Sequence, residues 1–109
     1  MVIVVIYGIP EDIDQKKLAL FSGDIRKSFA TKSKGVTIFF PPDRLKEGLG
    51  EEIAVFVYGF YVEPEKVDKT VQLRSELTQV VKRHFPKTEI YSECFSQVFD
   101  PKLGYVRHV

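Results

Sequence analysis

Hydrophobic and polar positions along the chain form two kinds of pattern, and both patterns occur twice in the same order. The unbroken run Val2–Tyr7 is mostly β-branched and predicts a strand. Apolar residues then recur every three or four positions from about Asp14 to Ala30, which predicts an amphipathic helix. A second apolar run, Val36–Phe40, stops at Pro41 because proline cannot continue a strand ladder. The first part of the chain therefore predicts strand, helix, strand.

The second part of the chain repeats that order. The longest and least polar run, Ile53–Val62, predicts the third strand. Asp68 or Thr70 can cap a second helix, and Pro86 ends that helix. Residues Thr88–Phe99 predict the fourth strand. The second helix has an apolar stripe that should be buried, formed by Leu73, Leu77, Val80, Val81 and Phe85.

The two parts also share a local sequence, because each begins with a strand that leads into Tyr-Gly and then a proline: Tyr7-Gly8 and Tyr58-Gly59. We interpret residues 1–109 as one domain built from two half-repeats, about 2–42 and 53–99. Right-handed crossovers make the strands of each half parallel. The predicted fold class is α/β (α+β), a β-α-β-β-α-β pseudo-repeat with a four-stranded mixed sheet and two helices on one face. The apolar tail after Phe99 is not expected to be a free end.

The predicted strands are apolar on both faces, although two helices can cover only one face of a four-stranded sheet. An uncovered apolar face of several hundred Å² is rare in soluble proteins. Because the chain offers no third layer, the pattern predicts self-association through the sheet.

Composition narrows the class of protein further. The chain is 44% hydrophobic and 28% charged with a net charge of +1, which favours a globular protein over a nucleic-acid or membrane-surface binder. The single Cys94 and the dispersed histidines predict neither a disulfide nor a metal site. The start of the chain lacks the basic leader of a signal peptide, and no apolar run is long enough for a membrane span. We therefore expect a cytoplasmic protein.

Two folds share the predicted order, the ferredoxin-like sandwich and the tautomerase superfamily. The stretch Val36–Leu45, in which an apolar strand runs into Pro-Asp-Arg-Leu, resembles the second strand of macrophage migration inhibitory factor and its relatives. The opening Met1–Pro10 and the closing Phe99–Tyr105 resemble the same family, which includes the 4-oxalocrotonate tautomerase-like proteins. The resemblance covers nearly the whole chain. It implies a homotrimer with its sheets facing inward and chemistry that needs no cofactor.

The resemblance also assigns candidate roles. In active members a proline follows the initiator methionine and its amine is the catalytic base, whereas this chain has Val2. Removal of Met1 would give Val2 an α-amino group with a pKa near 7.7–8.0, but with Met1 attached its nitrogen is an amide and not a base. Tyr91 and Glu93 stand at the positions of a tyrosine and an asparagine that face the substrate. The glutamate would repel a carboxylate substrate unless it is protonated.

Two further residues correspond to substrate anchors. Lys32, with Lys34 as an alternative, would hold a substrate carboxylate, and Arg44 would clamp an oxyacid bidentately. The plain alternative is that these cations are solvated and that Tyr91 packs at a subunit interface. The resemblance thus implies a tautomerase-like protein that moves a proton on a small 2-oxo acid. The competing interpretation is a non-catalytic trimeric scaffold or a ferredoxin-like interaction module.

Overall fold

The structure is a computed structural model that describes residues 2–29, 35–42, 52–62, 68–100 and 105–108. Side chains are described in these ranges except at 60–62, 93–100 and 105–108. The elements, in chain order, are β1 (Val2–Tyr7), α1 (Gln15–Lys27), β2 (Val36–Phe39), β3 (Glu52–Val62), α2 (Asp68–His84), β4 (Glu89–Asp100) and β5 (Tyr105–His108).

The strands form one mixed sheet in the order β2-β1-β3-β4-β5. β1 and β2 are parallel, β3 and β4 are parallel, and the two central strands β1 and β3 are antiparallel. The predicted fold class, a β-α-β-β-α-β unit with two helices on one face, is confirmed. The sheet has one strand more than the four predicted, because β5 pairs antiparallel with the end of β4. Tyr105 and Val106 of the apolar tail therefore lie in a strand.

The strand register supports the internal repeat. Val5 pairs with Phe56, and the pairs on either side of it, Ile6–Val55 and Val4–Val57, are equivalent under a twofold rotation. Gly8 and Gly59, the glycines of the two Tyr-Gly steps, both have positive φ, at 93° and 77°. The second of these lies at a register shift between β3 and β4. The glycine of each Tyr-Gly step therefore has the same kind of backbone conformation, with a positive φ.

Helix α1 begins at an N-cap aspartate and is held against the sheet edge near its end. Asp14 has an extended backbone, and its side chain accepts a hydrogen bond from the Lys16 amide at 3.2 Å. Arg26, in the last turn, donates to the carbonyl oxygen of Val36 at 2.5 Å. The helix ends at Lys27, slightly before the predicted end.

The core lies between the two helices and one face of the sheet. Its strand residues alternate along the sequence, so that one side of each strand is buried. Phe21, in the middle of α1, packs edge-on against Phe85, just past the end of α2, with ring centroids 5.2 Å apart. The two helices run antiparallel, because each connects a pair of parallel strands and the two pairs run in opposite directions. Among the residues that the structure describes, the largest fully buried side chains are Phe21, Ile6, Ile25, Ile53, Leu77, Val4, Val55, Val57 and Val81.

Candidate functional site

Val2 begins β1 as an ordinary strand residue. Its backbone nitrogen donates to the carbonyl oxygen of Gly35 at 2.8 Å, and its Cα pairs with Val36. Its half-buried side chain packs against the core. While Met1 is attached, this nitrogen is an amide that donates a hydrogen bond and has no basic lone pair. Gly35 itself follows Lys34 in the chain.

Two of the predicted anchors cannot be located. Lys32 and Arg44, and also Lys34, lie outside the residues that the structure describes. Their proposed contacts with a substrate therefore stay predictions.

Tyr91 and Glu93 lie on β4, two residues apart and therefore on one face of the sheet. Tyr91 pairs with Ala54 and is 57% exposed, on the face that carries no helix. Glu93 pairs with Phe56, and its side chain is among those not described. The predicted spacing of the two residues agrees with the register, while the role of the glutamate stays a prediction.

A single subunit does not bring Val2 and Tyr91 together. Ala54, which pairs with Tyr91, pairs on its other side with Tyr7 at the far end of β1 from Val2. Five residues of strand separate Tyr7 from Val2, which is about 16 Å at the usual rise. A site that uses both residues would need a second copy of the chain.

The open face of the sheet, the face that carries no helix, has several aromatic side chains. Strand alternation predicts which residues share a face of one strand, but the register is needed to show which of them are neighbours on adjacent strands. The ring of Phe56 lies between those of Tyr7 and Tyr91, with both centroid distances 5.9 Å. The sequence does not predict that Tyr7 and Phe56 are neighbours of Tyr91, because their contacts depend on the strand register. The most exposed aromatic side chains of this face are Tyr7 at 43%, Phe39 at 53%, Tyr58 at 43% and Tyr91 at 57%.

A histidine–aspartate pair joins the two helices on the other side of the sheet. His84 Nε2 donates to Asp24 Oδ2 at 2.7 Å, and the histidine ring packs on Phe21 at 5.2 Å. This hydrogen bond holds the pKa of Asp24 below its ordinary value, against the opposing effect of desolvation and with further help from the charges of His84, Lys27 and Arg83. The sequence around His84 does not predict this pair, because His84 has no carboxylate three or four residues away along the chain. Its partner is 60 residues away and carries no local signal.

The groove between the helices is lined by none of the residues predicted for the site. A shallow groove of about 660 Å³ runs between α1 and α2, lined by Asp24, Lys27 and Arg83 among others. It lies on the helix side, away from the open face that carries Tyr91. Among the described residues, no group of three histidine, cysteine or carboxylate side chains could hold a metal ion. None of the described helices has the length and apolar character to cross a membrane.

Comparison with known proteins identifies the fold. No protein-family model and no curated protein matches the sequence. The structure of Pt0534 inactivated by 2-oxo-3-pentynoate superposes with a TM-score of 0.59 at 10% identity, covering 92% of this chain and 88% of that one. Malonate semialdehyde decarboxylase, solved as wild type, as a proline-to-alanine mutant and in an inactivated form, gives 0.54 at 12% identity, covering 91% and 87%.

The chain shares its fold with these two proteins, which supports a tautomerase-superfamily fold. The expectation drawn from the resemblance of Val36–Leu45 and of the two ends of the chain is thereby confirmed at the level of the fold. At 10% and 12% identity the likeness carries the fold and not the activity. In this chain the start of β1 lies beside Gly35, the residue that precedes β2.

Proposed function

We propose that this tautomerase-fold protein moves a proton on a small oxo acid without a cofactor, and that it does so only when the Val2 nitrogen is a free amine. The observation that carries the proposal is the contact between the Val2 nitrogen and the Gly35 carbonyl, because it holds this nitrogen at a defined place. A base that is held in position contributes about 10²–10⁴-fold to a proton transfer. An amine there would also have a pKa close to neutral pH.

The substrate class follows from charge as well as from the structural neighbours. Lys34 comes directly before Gly35, and Lys32 is two residues earlier, so two cations adjoin in sequence the residue that holds the Val2 nitrogen. A small carboxylate is the ligand that such cations favour. One neighbour is inactivated by a 2-oxo acid, and the other acts on malonate semialdehyde, a 3-oxo acid. An oxo acid supplies both the carboxylate and an acidic carbon.

Self-association belongs to the same proposal. Val2 and Tyr91 lie at opposite ends of the sheet of one subunit, so they could share a substrate only across an interface. The exposed aromatic side chains of the open face give a second copy an apolar surface to cover. A homotrimer with this face directed inward is the assembly that we propose.

The second candidate function is a non-catalytic scaffold of the same shape. The amide of Val2 completes the backbone hydrogen bonding between the start of β1 and Gly35, as any strand residue would. Its side chain packs on the core in the same way. With Met1 attached, these two features leave the position without a base.

The experiment compares four forms of the protein, namely wild type and Val2→Pro, each with and without Met1. Enol–ketone conversion of phenylpyruvate is followed by absorbance. We expect no activity from either form that retains Met1, measurable activity from the form that begins at Val2, and higher activity from the form that begins at proline. The rate of the Val2 form should rise with pH through about 7.7–8.0, where an α-amino group loses its proton.

The forms that retain Met1 are the matched controls, because they are identical from residue 2 onward, while the nitrogen of residue 2 is an amide and the α-amine lies one residue earlier, on Met1. Full activity with Met1 attached would show that the Val2 nitrogen is not the base. Absence of activity in all four forms, together with no binding of an oxo acid, would favour the scaffold.

A further inference from the structure

The tyrosines of the two Tyr-Gly steps are equivalent in the repeat but not in their surroundings. Tyr7 and Tyr58 each precede a glycine with positive φ, lie on the open face and are 43% exposed. Tyr58 is the strand partner of Ile3, the residue after Val2, whereas Tyr7 pairs with Ala54 at the other end of β1. Of the two tyrosines, Tyr58 is therefore the one at the end of the sheet where the Val2 nitrogen is held.

Tyr58 is close to Val2 within one subunit. The two residues are separated by one strand spacing and one residue of rise, which places their Cα atoms about 6 Å apart. The separation of Val2 from Tyr91 is at least about 16 Å along the sheet. A small substrate at the Val2 nitrogen would therefore lie near the side chain of Tyr58 of the same subunit.

The backbone next to Tyr58 departs from a regular strand. The register between β3 and β4 shifts between Tyr58 and Phe60, and Gly59 between them has a φ of 77°. An irregularity of this kind re-aims the neighbouring side chains and is common beside active sites. The first Tyr-Gly step differs, because β1 ends at Tyr7 while β3 continues to Val62.

The open face has uncharged hydroxyl groups on both sides of Ile3. Ile3 pairs with Tyr58 on β3 and with Thr37 on β2, and the described strands β1 to β4 contain no lysine, arginine or histidine. A hydroxyl group suits the carbonyl oxygen of a ligand, whereas the cations that precede Gly35 in the sequence suit its carboxylate. Tyr58 has further contacts in the structure, and its phenol oxygen can accept a hydrogen bond while its O–H donates another.

We infer that Tyr58 donates a hydrogen bond to the carbonyl oxygen of the oxo acid, in the same subunit whose Val2 amine takes the proton. This inference rests on the proposed function and adds to it a residue that contacts the substrate.

The hydrogen bond acts on the charge that forms during proton transfer. When the amine takes a proton from the carbon beside the carbonyl group, the electrons of the C–H bond form a carbon–carbon double bond and the carbonyl oxygen becomes negative. Protonation of this oxygen from water gives the enol, and the ammonium group returns its proton to water. A donor held at this oxygen stabilises the charge as it develops.

Tyr58→Phe and Tyr7→Phe are a matched pair for the test, because each removes one phenol oxygen and keeps the ring at a site of equal exposure. Both variants are made in the form that begins at Val2. Tyr58→Phe should lower kcat for phenylpyruvate at least about tenfold, since a donor to a developing oxyanion contributes about 10²–10³-fold in a site that excludes water. Its KM should change less than its kcat, because the carbonyl oxygen of the bound substrate has less charge. Tyr7→Phe should leave both values unchanged.

Oxalate gives a second measurement that does not depend on turnover, because its planar dianion resembles the enolate of a 2-oxo acid. Isothermal titration calorimetry should show that Tyr58→Phe weakens oxalate binding about tenfold, as expected for the loss of a hydrogen bond to a charged oxygen. Tyr7→Phe should leave the binding unchanged. Circular dichroism and light scattering should show that both variants keep the fold and the mass of the parent protein.

The possible outcomes separate this inference from the proposed function. Equal kcat values and equal oxalate affinities in the two variants would overturn the role of Tyr58 and leave the proposed function in place. A parent protein that neither converts phenylpyruvate nor binds oxalate would overturn both. If the parent binds oxalate without converting phenylpyruvate, the proposed reaction is wrong, and the role of Tyr58 in binding stands only if Tyr58→Phe alone weakens the affinity.

Discussion

Gly8 lies where the end of β1 comes closest to the start of β3. Its φ of +93° is a conformation that residues with a Cβ atom rarely adopt, and a Cβ built there would overlap the carbonyl oxygen of Glu52. Gly23, in the middle of α1, has no neighbouring atom within 4 Å of the same position. The two glycines therefore have opposite physical roles, one required by the backbone and one merely tolerated.

This contrast gives a prediction for two equal changes. Gly8→Ala should lower the free energy of unfolding by about 2–4 kcal/mol, because the backbone must move to relieve both strain and overlap. Gly23→Ala should raise it by about 0.5–1 kcal/mol, because alanine favours the helix and nothing obstructs its methyl group. Urea unfolding measures both values. Equal effects of the two substitutions would show that Gly8 is not constrained in this way.

At the scale of elements, the helix pair is joined by apolar packing and by one polar contact. Phe21 of α1 meets Phe85 and the ring of His84, and Asp24 receives the hydrogen bond of that histidine. Lys27 Nζ also lies 3.7 Å from Asp24 Oδ1. Because these contacts favour the ionised carboxylate, the pKa of Asp24 is lower in the folded chain than its ordinary value of 3.8.

The sign of the pH dependence follows from that shift. A carboxyl group whose pKa is lowered by folding stabilises the fold above its unfolded pKa, and the contribution is lost as the pH falls through the folded pKa. Wild type should therefore be more stable than Asp24→Asn at about pH 6, and the difference should shrink as the pH falls below about 4. Urea midpoints across this range measure it.

His84→Gln provides the control for the helix contact. The hydrogen bond from His84 is the main cause of the shift in the pKa of Asp24, so Asp24→Asn should have a smaller effect in the His84→Gln background. A stability difference between wild type and Asp24→Asn that does not change with pH would contradict the proposed origin of the contact.

The local sequence was sufficient to predict most elements, because their signals are local. β1 is observed at the predicted bounds, Val2–Tyr7, since a β-branched run meets a glycine that needs positive φ. β5 was not predicted, because Tyr105–His108 is short and becomes a strand only by pairing with β4. The contact between His84 and Asp24 was missed for the same reason, since it depends on how two distant helices pack.

The candidate site was also predicted in part from the sequence. The spacing of Tyr91 and Glu93 was sufficient to place them on one face of a strand, because alternation is a local property. That Val2 lies at the opposite end of the sheet from Tyr91 follows from the antiparallel register of β1 and β3. The sequence repeat could suggest this pairing but could not give its register. The contacts of Phe56 with Tyr7 and Tyr91 were not predicted either, because they depend on the same register.

At the scale of the whole molecule, the pseudo-twofold arrangement places both helices on one face and leaves the other face uncovered. Val4 and Val57 are fully buried beneath the helices, whereas Phe39 and Tyr58 on the open face are 53% and 43% exposed. The helix layer also has exposed apolar side chains, Leu20 at 67% and Val71 at 56%. Exposure alone therefore does not distinguish the two faces. The two faces differ in how their exposed apolar side chains are arranged, because the aromatic residues of the open face lie on adjacent strands and form a continuous surface.

Matched pairs of substitutions separate the two faces. Phe39→Ser combined with Tyr58→Ser removes two rings from the open face and should weaken self-association at least about tenfold, because aromatic side chains dominate the energy of protein interfaces. Leu20→Ser combined with Val71→Ser removes two apolar side chains from the helices that are more exposed than Phe39 and Tyr58, and should leave the association unchanged. Light scattering at micromolar concentration should give a mass that falls toward 12.5 kDa for the first pair only.

All four side chains are more than 40% exposed, so neither pair should unfold the subunit. If instead the helix pair caused dissociation and the sheet pair did not, the helices would form the interface, and an inward-facing sheet would be wrong.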